Sequence, residues 1–293
     1  MAEYQWKYEG DKPITIKKFM SQVGLGHRLL ADIKYGDGVF RMNAKVEPIT
    51  TIIEPGEVVT LVTNPIPEDP EVKVSDEPIE IVYEDQNWLV VNKPAGLSSI
   101  PGPTNSTDTL LNRVKGYLIQ SGATDLRPSL IIRLDRFTSG IVLVAKNRVS
   151  QSMISHQVEN HELDKRYTAI VSGHLELDHD VIDHPIGKVE DSPRRVVRPD
   201  GKTAQTEYWV KSTGEDWTEV EVQLHTGRTH QIRVHFTHLG HPLLGDELYG
   251  GPQTLIQRQA LHAQSLSFTD PFTHEQKVFK VTLPTDMSDI IHD

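Results

Sequence analysis

Residues 64–80 read NPIPEDPEVKVSDEPIE, with Pro65, Pro67, Pro70 and Pro78 set among acids. Proline has no amide donor and a fixed φ, so this stretch can form neither a helix nor a central strand. It parts the 293-residue chain into a short unit and a long one. The expected organisation is an N-terminal domain over 1–62, an acidic linker over 63–78 and a larger domain over 79–293. Charge is unevenly spread as well. Of a formal net charge of -11, the segment 51–85 carries nine, with ten acids against the single base Lys73. An acidic chain argues against nucleic acid, because lysine and arginine supply most of the affinity for phosphate. The rest of this chain is nearly balanced, however, and Arg194, Arg195, Arg198 and Lys202 form a locally basic run. That run reads equally well as a phosphate contact or as a solvated loop.

In the short unit, Ile16, Phe19 and Met20 keep a helical period, Gly24 to Gly26 turn the chain, and Leu29, Leu30 and Ile33 resume the period. Strands are then expected at 39–43, 50–53 and 58–62, separated by Pro48 and by Pro55-Gly56. In the long unit, IEIVYED and WLVVNKPAG read as apolar strands, 107–120 as a helix, and VSQSMISHQVEN as a helix leading into the strand KRYTAIVSG. TEVEVQLHTG alternates cleanly, with Val220, Val222 and Leu224 on one face, as a half-buried antiparallel strand does. In RTHQIRVHFTHLGHP the apolar positions Ile232, Phe236 and Leu239 define one helix face, stopped by Gly240 and Pro242. Strands that mostly neighbour one another, with few helices between, predict an α+β fold.

Chemistry is narrowed by what is missing. Without cysteine there is no disulfide, no thiolate nucleophile and no cysteine-ligated metal. No apolar run nears the roughly 20 residues that cross a bilayer, and MAEYQWKYEGDKP lacks a signal-peptide layout, so a cytoplasmic protein is expected. Phosphate cradles and a nucleophile elbow are absent too. Five histidines fall between His225 and His241, but without metal-ligand spacing or an acid among them, so no metal is expected. Together with Arg228 and Arg233 they predict a wet cationic face opposite Ile232 and Phe236.

LIIRLDRFTSGIVLVAKN sets Asp135 between Arg133 and Arg136, with apolar runs on both sides. Read as strand, Arg133 and Asp135 share a face and Arg136 takes the other. A buried carboxylate needs a cation, and these arginines are the nearest in sequence. Such a pair serves as a nucleophile with its electrostatic partner or as a structural ion pair. Tyr167 in KRYTAIVSG reads as a strand residue with its hydroxyl at the rim of the core.

RLDRFTSGIVLVAKN, KRYTAIVSG, GKTAQTEYWV, HTGRTHQIRVHFTHLGHPLLGDELYGG and LHAQSLSFTDP follow one another here in an order and spacing that resembles the RluA/RluD-type pseudouridine synthases, over about 77–283. The segment FMSQVGLGHRLLADIKYGDGVFRMN resembles an S4 domain, a small RNA-binding module. The resemblance implies a mixed, mostly antiparallel sheet with flanking helices, no cofactor, and RNA as partner, ribosomal or transfer. It also implies site residues. Asp135 matches the catalytic carboxylate acting at the ribose, Tyr167 the tyrosine that stacks on the target base, and Arg233 the cation that pairs with the carboxylate. Arg133, Arg136, Arg228, His230 and Gln231 match positions around the substrate. Arg28 and Lys34 of the S4-like unit, with Arg194, Arg195, Arg198 and Lys202, are the expected contacts to RNA. Two other readings compete: a non-catalytic RNA-binding or ribosome-assembly protein on the same fold, and a nucleoside hydrolase, which would need a second carboxyl group. Nothing in the sequence predicts more than a monomer.

Overall fold

The computed structural model describes residues 1–103 and 105–292. Thr15 opens the helix Ile16–Val23 by accepting from Lys18 N, and Gly24 closes it at φ 110°. A second helix, His27–Asp32, follows. Both lie on a four-stranded antiparallel sheet ordered Ala2–Lys7, Val58–Thr63, Gly38–Met42, Lys45–Glu47. The first of these strands was not expected, although AEYQWK alternates and buries Tyr4. The strand expected at 50–53 shrinks to Ile52–Ile53, paired with Ile14–Thr15.

Two elements of the long unit complete this small core. Val149 and Met153, from the helix Arg148–Glu159, pack into the same cluster as Ile16, Met20 and Leu29. Gly26 N donates to Ser152 Oγ at 2.8 Å, Arg148 pairs with Asp32 and Asp37, and Tyr4 stacks on Phe272 with centroids 5.7 Å apart.

Residues 64–79 form neither helix nor strand, as their prolines require. They are not slack. Asn112 Nδ2 donates to Lys73 O at 2.7 Å, Lys115 Nζ to Asp69 O at 2.7 Å, and Ser75 N to Asn112 O at 3.3 Å, so the stretch is strapped along the helix Leu110–Gln120. Gly116 lets the strap lie close: a Cβ there would stand 2.1 Å from Ser75 O.

The long unit is built on one large sheet. Its main path runs His179–Asp183, Gln205–Thr213, Trp217–Leu224, Asp164–Ser172, Leu261–Thr269, Ser139–Ala145, Trp88–Lys93, Glu80–Glu84. The pairing of Ser139–Ala145 with Leu261–Thr269 is parallel and the other pairings are antiparallel. Every residue of Ser139–Ala145 is buried, because both faces of the sheet are covered. On one face Leu110, Val114 and Leu118 of the strapped helix and Ile232 and Phe236 of the helix Gln231–His238 pack on Val142, Val144, Val220 and Val222. On the other, Ile154 and Leu163 pack on Trp88, Val90, Ile141 and Leu143. No helix among the described residues is long and apolar enough to cross a membrane.

Two sequence expectations are corrected. Residues 131–138 are a loop between the strands Ser129–Leu130 and Ser139–Ala145, so the strand alternation assumed for Arg133, Asp135 and Arg136 does not apply. Gly140, the second residue of that strand, has φ 114°, and a Cβ there would stand 2.3 Å from Ala263 O. The helix Gln231–His238 has no wet cationic face either: Gln231, Arg233 and His235 are buried with Ile232, while Leu239, expected inside, is exposed. His235 is consumed in packing, with Nδ1 2.8 Å from Thr206 Oγ1 and Nε2 3.0 Å from His184 O.

Candidate active site

The loop 131–138 is held from three sides. Ser99 Oγ accepts from Leu134 N at 3.1 Å and donates to Leu134 O at 2.6 Å. Gly96 N donates to Arg136 O at 2.8 Å, and Thr138 Oγ1 accepts from Gln259 Nε2 at 3.2 Å. Beneath them Lys93 is fully buried at the end of its strand, and its ammonium donates to Pro94 O, Leu97 O and Arg136 O at 2.9, 2.8 and 3.2 Å. Three carbonyls match its three donors. Burial pulls its pKa down to about 7, with the Asp135 charge working in the other direction.

This bracing presents Asp135 to a pocket of about 580 Å³, a size that suits a nucleoside-sized ligand. The carboxylate is 28% exposed, and Arg233 Nη1 donates to its Oδ2 at 3.1 Å. Arg233 arrives from 98 residues away and is nearly buried. It is gripped from behind by Asp246, with Nε–Oδ2 at 2.7 Å and Nη2–Oδ1 at 2.8 Å. Burial would lower the pKa of this guanidinium, but the hydrogen bonds and charge of Asp246, and then those of Asp135, outweigh it and raise the value. The arginine is therefore a fixed cation between two carboxylates, one sealed and one facing the pocket.

Tyr167 lines the same pocket from the strand Asp164–Ser172. Burial, and then the negative charge of Asp135, push its phenol up, so it is neutral near pH 7. Lys165 sits two residues earlier on the same strand face and also lines the pocket; burial lowers its pKa. No sequence expectation named it, although period-two alternation from Tyr167 reaches it.

The remaining expected residues divide. Arg133, Arg136, Arg228, His230 and Gln231 all line the pocket. Arg133 and Arg136 are exposed, and Arg136 Nε turns away to Gly96 O at 3.0 Å, so the cation at Asp135 is Arg233 rather than a sequence neighbour. Gln231 is buried with its amide committed: Oε1 accepts from Thr226 Oγ1 and Arg228 N, and Nε2 donates to Gln205 O and Thr206 Oγ1. Its side chain braces the loop before the helix and has no free group for a ligand. His230 Nε2 is 3.7 Å from Asp135 Oδ2. Arg194, Arg195, Arg198 and Lys202 lie outside the pocket lining, on and beside the hairpin of Ile186–Lys188 with Arg195–Val197. Arg198 there is paired with Asp200. Arg28 and Lys34 are exposed on the N-terminal unit and are not among the pocket residues. Asp246 and Tyr249 were missed by sequence reasoning; GDELYGG, directly after the histidine-rich stretch, was the available signal. No cluster of His, Asp or Glu among the described residues could hold a metal.

Comparison with known proteins bears on this geometry. A family described as RNA pseudouridylate synthase matches residues 87–238. The chain is 40% identical over 287 residues to the uncharacterized RNA pseudouridine synthase YjbO of Bacillus subtilis, covering 95% of this chain and 98% of that protein. It is 37% identical over 239 residues to ribosomal large subunit pseudouridine synthase D of Zymomonas mobilis, covering 76% and 75% of the two chains. Among solved structures, human RNA pseudouridylate synthase domain containing 1 superposes with a TM-score of 0.58 at 25% identity, covering 74% of this chain and 95% of that one.

Proposed function

The chain belongs to the RluA-type RNA pseudouridine synthases, and from that premise we propose that it isomerises specific uridines of large-subunit ribosomal RNA with Asp135 as the catalytic carboxylate. The reaction breaks the bond between uracil N1 and ribose C1′ and forms one between C5 and C1′. The C5 proton is lost and N1 gains one, so no atom is gained or lost overall. A single carboxylate beside the sugar stabilises the positive charge that develops as the first bond breaks. No second carboxyl group is needed to expel a leaving group, because the uracil stays in the pocket. The observation that carries this reading is the contact of Asp135 with the buried Arg233 at 3.1 Å on the wall of an open pocket. Tyr167, neutral and beside Asp135, supplies a ring for the base and a hydroxyl that relays the C5 proton, passing its own on as it takes that one up.

Ribosomal RNA is favoured over transfer RNA by the similarity to ribosomal large subunit pseudouridine synthase D. Reaching a base in folded RNA requires extruding it, and backbone contacts must offset that cost. Arg194, Arg195 and Lys202 beside the pocket are one source of such contacts. The N-terminal unit is the other: two helices on a small sheet, with Arg28 and Lys34 exposed, fit an S4-like RNA-binding module.

The test is pseudouridine mapping, by a product-specific chemical adduct, in total RNA from a deletion strain carrying either wild type or Asp135→Asn. Sites restored by wild type and not by the variant support the reading. Equal restoration would make the protein a non-catalytic assembly factor, and release of free uracil would make it a hydrolase.

A further inference from the structure

Tyr249 ends the short turn Glu247–Tyr249 and is 5% exposed. Two guanidiniums lie over its ring, with Arg233 Cζ 4.9 Å and Arg194 Cζ 5.4 Å from the centroid. Its hydroxyl accepts from the Arg195 backbone N–H at 2.9 Å and stands 3.0 Å from His230 Nδ1. His230 carries φ 57°, in the left-handed region that residues other than glycine rarely adopt. Its Nε2 lies 3.7 Å from Asp135 Oδ2.

We propose that Tyr249 is a positioning residue for the isomerisation: its hydroxyl fixes His230 as the Nε2–H tautomer, and His230 with Arg233 orients the Asp135 carboxylate. The inference rests on the reading that Asp135 performs the chemistry. The tautomer follows from counting donors and acceptors. A phenol has one proton and two lone pairs; the Arg195 amide uses a lone pair, which leaves the proton for an acceptor, and Nδ1 is the one in reach. Nε2 then bears the ring proton and turns it toward a carboxylate. The opposite tautomer would aim a lone pair at Asp135 and leave the phenol proton without a partner. Burial, then the Arg233 and Arg195 charges, lower the imidazole pKa against the pull of Asp135 and Asp246, which favours a single ring proton.

The same tyrosine joins the arginine hairpin to the pocket. Arg194 lies over its ring and the Arg195 backbone N–H donates to its hydroxyl.

The test uses the full-length chain with ribosomal RNA purified from a strain lacking the gene, and reads pseudouridine formation at saturating RNA together with the half-saturating RNA concentration. Tyr249→Phe keeps the stacked ring and removes only the hydroxyl; His230→Asn keeps a residue that tolerates positive φ. Tyr249→Phe is expected to lower the saturated rate about tenfold with half-saturation unchanged, and the double variant to be no slower than His230→Asn alone, because the hydroxyl acts through the imidazole. An unchanged saturated rate in Tyr249→Phe, a loss confined to half-saturation, or independent multiplying losses in the double variant would overturn the proposal. Asp135→Asn run alongside separates the two levels: if it is inactive while Tyr249→Phe is wild type, only the positioning role fails; if it is active, the reading beneath it fails.

Discussion

Asp135 and Arg233 meet across 98 residues. Nothing in hydrophobic periodicity announces such a pair; it was legible only through the resemblance of two separated motifs. Reasoning from neighbours alone chose Arg133 and Arg136, and went astray because a loop aims its side chains by its anchors rather than by alternation. Asp246, the residue that fixes Arg233, was hidden for a different reason: its partner choice depends on the turn Glu247–Tyr249 folding back on the helix Gln231–His238. Two outcomes follow at this scale. Asp135→Asn should reduce isomerisation roughly a thousandfold or more while the melting temperature and RNA affinity change little. Asp246→Ala leaves Arg233 buried with only one partner, and should cost about 3–5 kcal/mol of stability in urea denaturation as well as activity.

At the scale of elements, long periodic segments were readable. The helices Leu110–Gln120 and Arg148–Glu159 and the strands Asp164–Ser172 and Trp217–Leu224 fall near their expected places, because their apolar positions recur at the right period and their ends carry caps such as Thr109 and Asn147. The proline-rich stretch was legible in what it could not form, but not in where it lies. Its fixed path comes from backbone contacts to the helix Leu110–Gln120, to which composition is blind. Gly116 tests this. Glycine to alanine inside a helix ordinarily stabilises by roughly 0.5–1 kcal/mol. Here the added Cβ would meet Ser75 O at 2.1 Å. Gly116→Ala is therefore expected to lower the melting temperature, and limited proteolysis should cut within 64–79 sooner than in wild type. Lys93 behaves similarly beneath the loop 131–138: Lys93→Met would leave Pro94 O and Leu97 O without a donor, Arg136 O keeping Gly96 N, and a loss of about 2–4 kcal/mol is expected from thermal unfolding.

Over the whole molecule, the buried histidines set a limit on acid tolerance. Burial holds His235 and His262 down to about 4, whereas an unfolded chain binds these protons near 6.5. Above pH 6.5 both states are neutral and the full stability is present. As pH falls from about 6.5 toward 4 the unfolded chain gains protons that the folded one refuses, and each residue removes on the order of 3 kcal/mol. Urea midpoints at pH 7.5, 6 and 4.5 should decline in that order, and replacing both histidines by glutamine should flatten the decline. The docking of the two units has a consequence of its own. Val149 and Met153 belong to one unit by sequence and to the other by packing, so the first sixty residues cannot swivel like a tethered hand. The proposed RNA contacts Arg28 and Lys34 therefore stand at a constant span from the pocket, like the two jaws of a caliper locked at one setting.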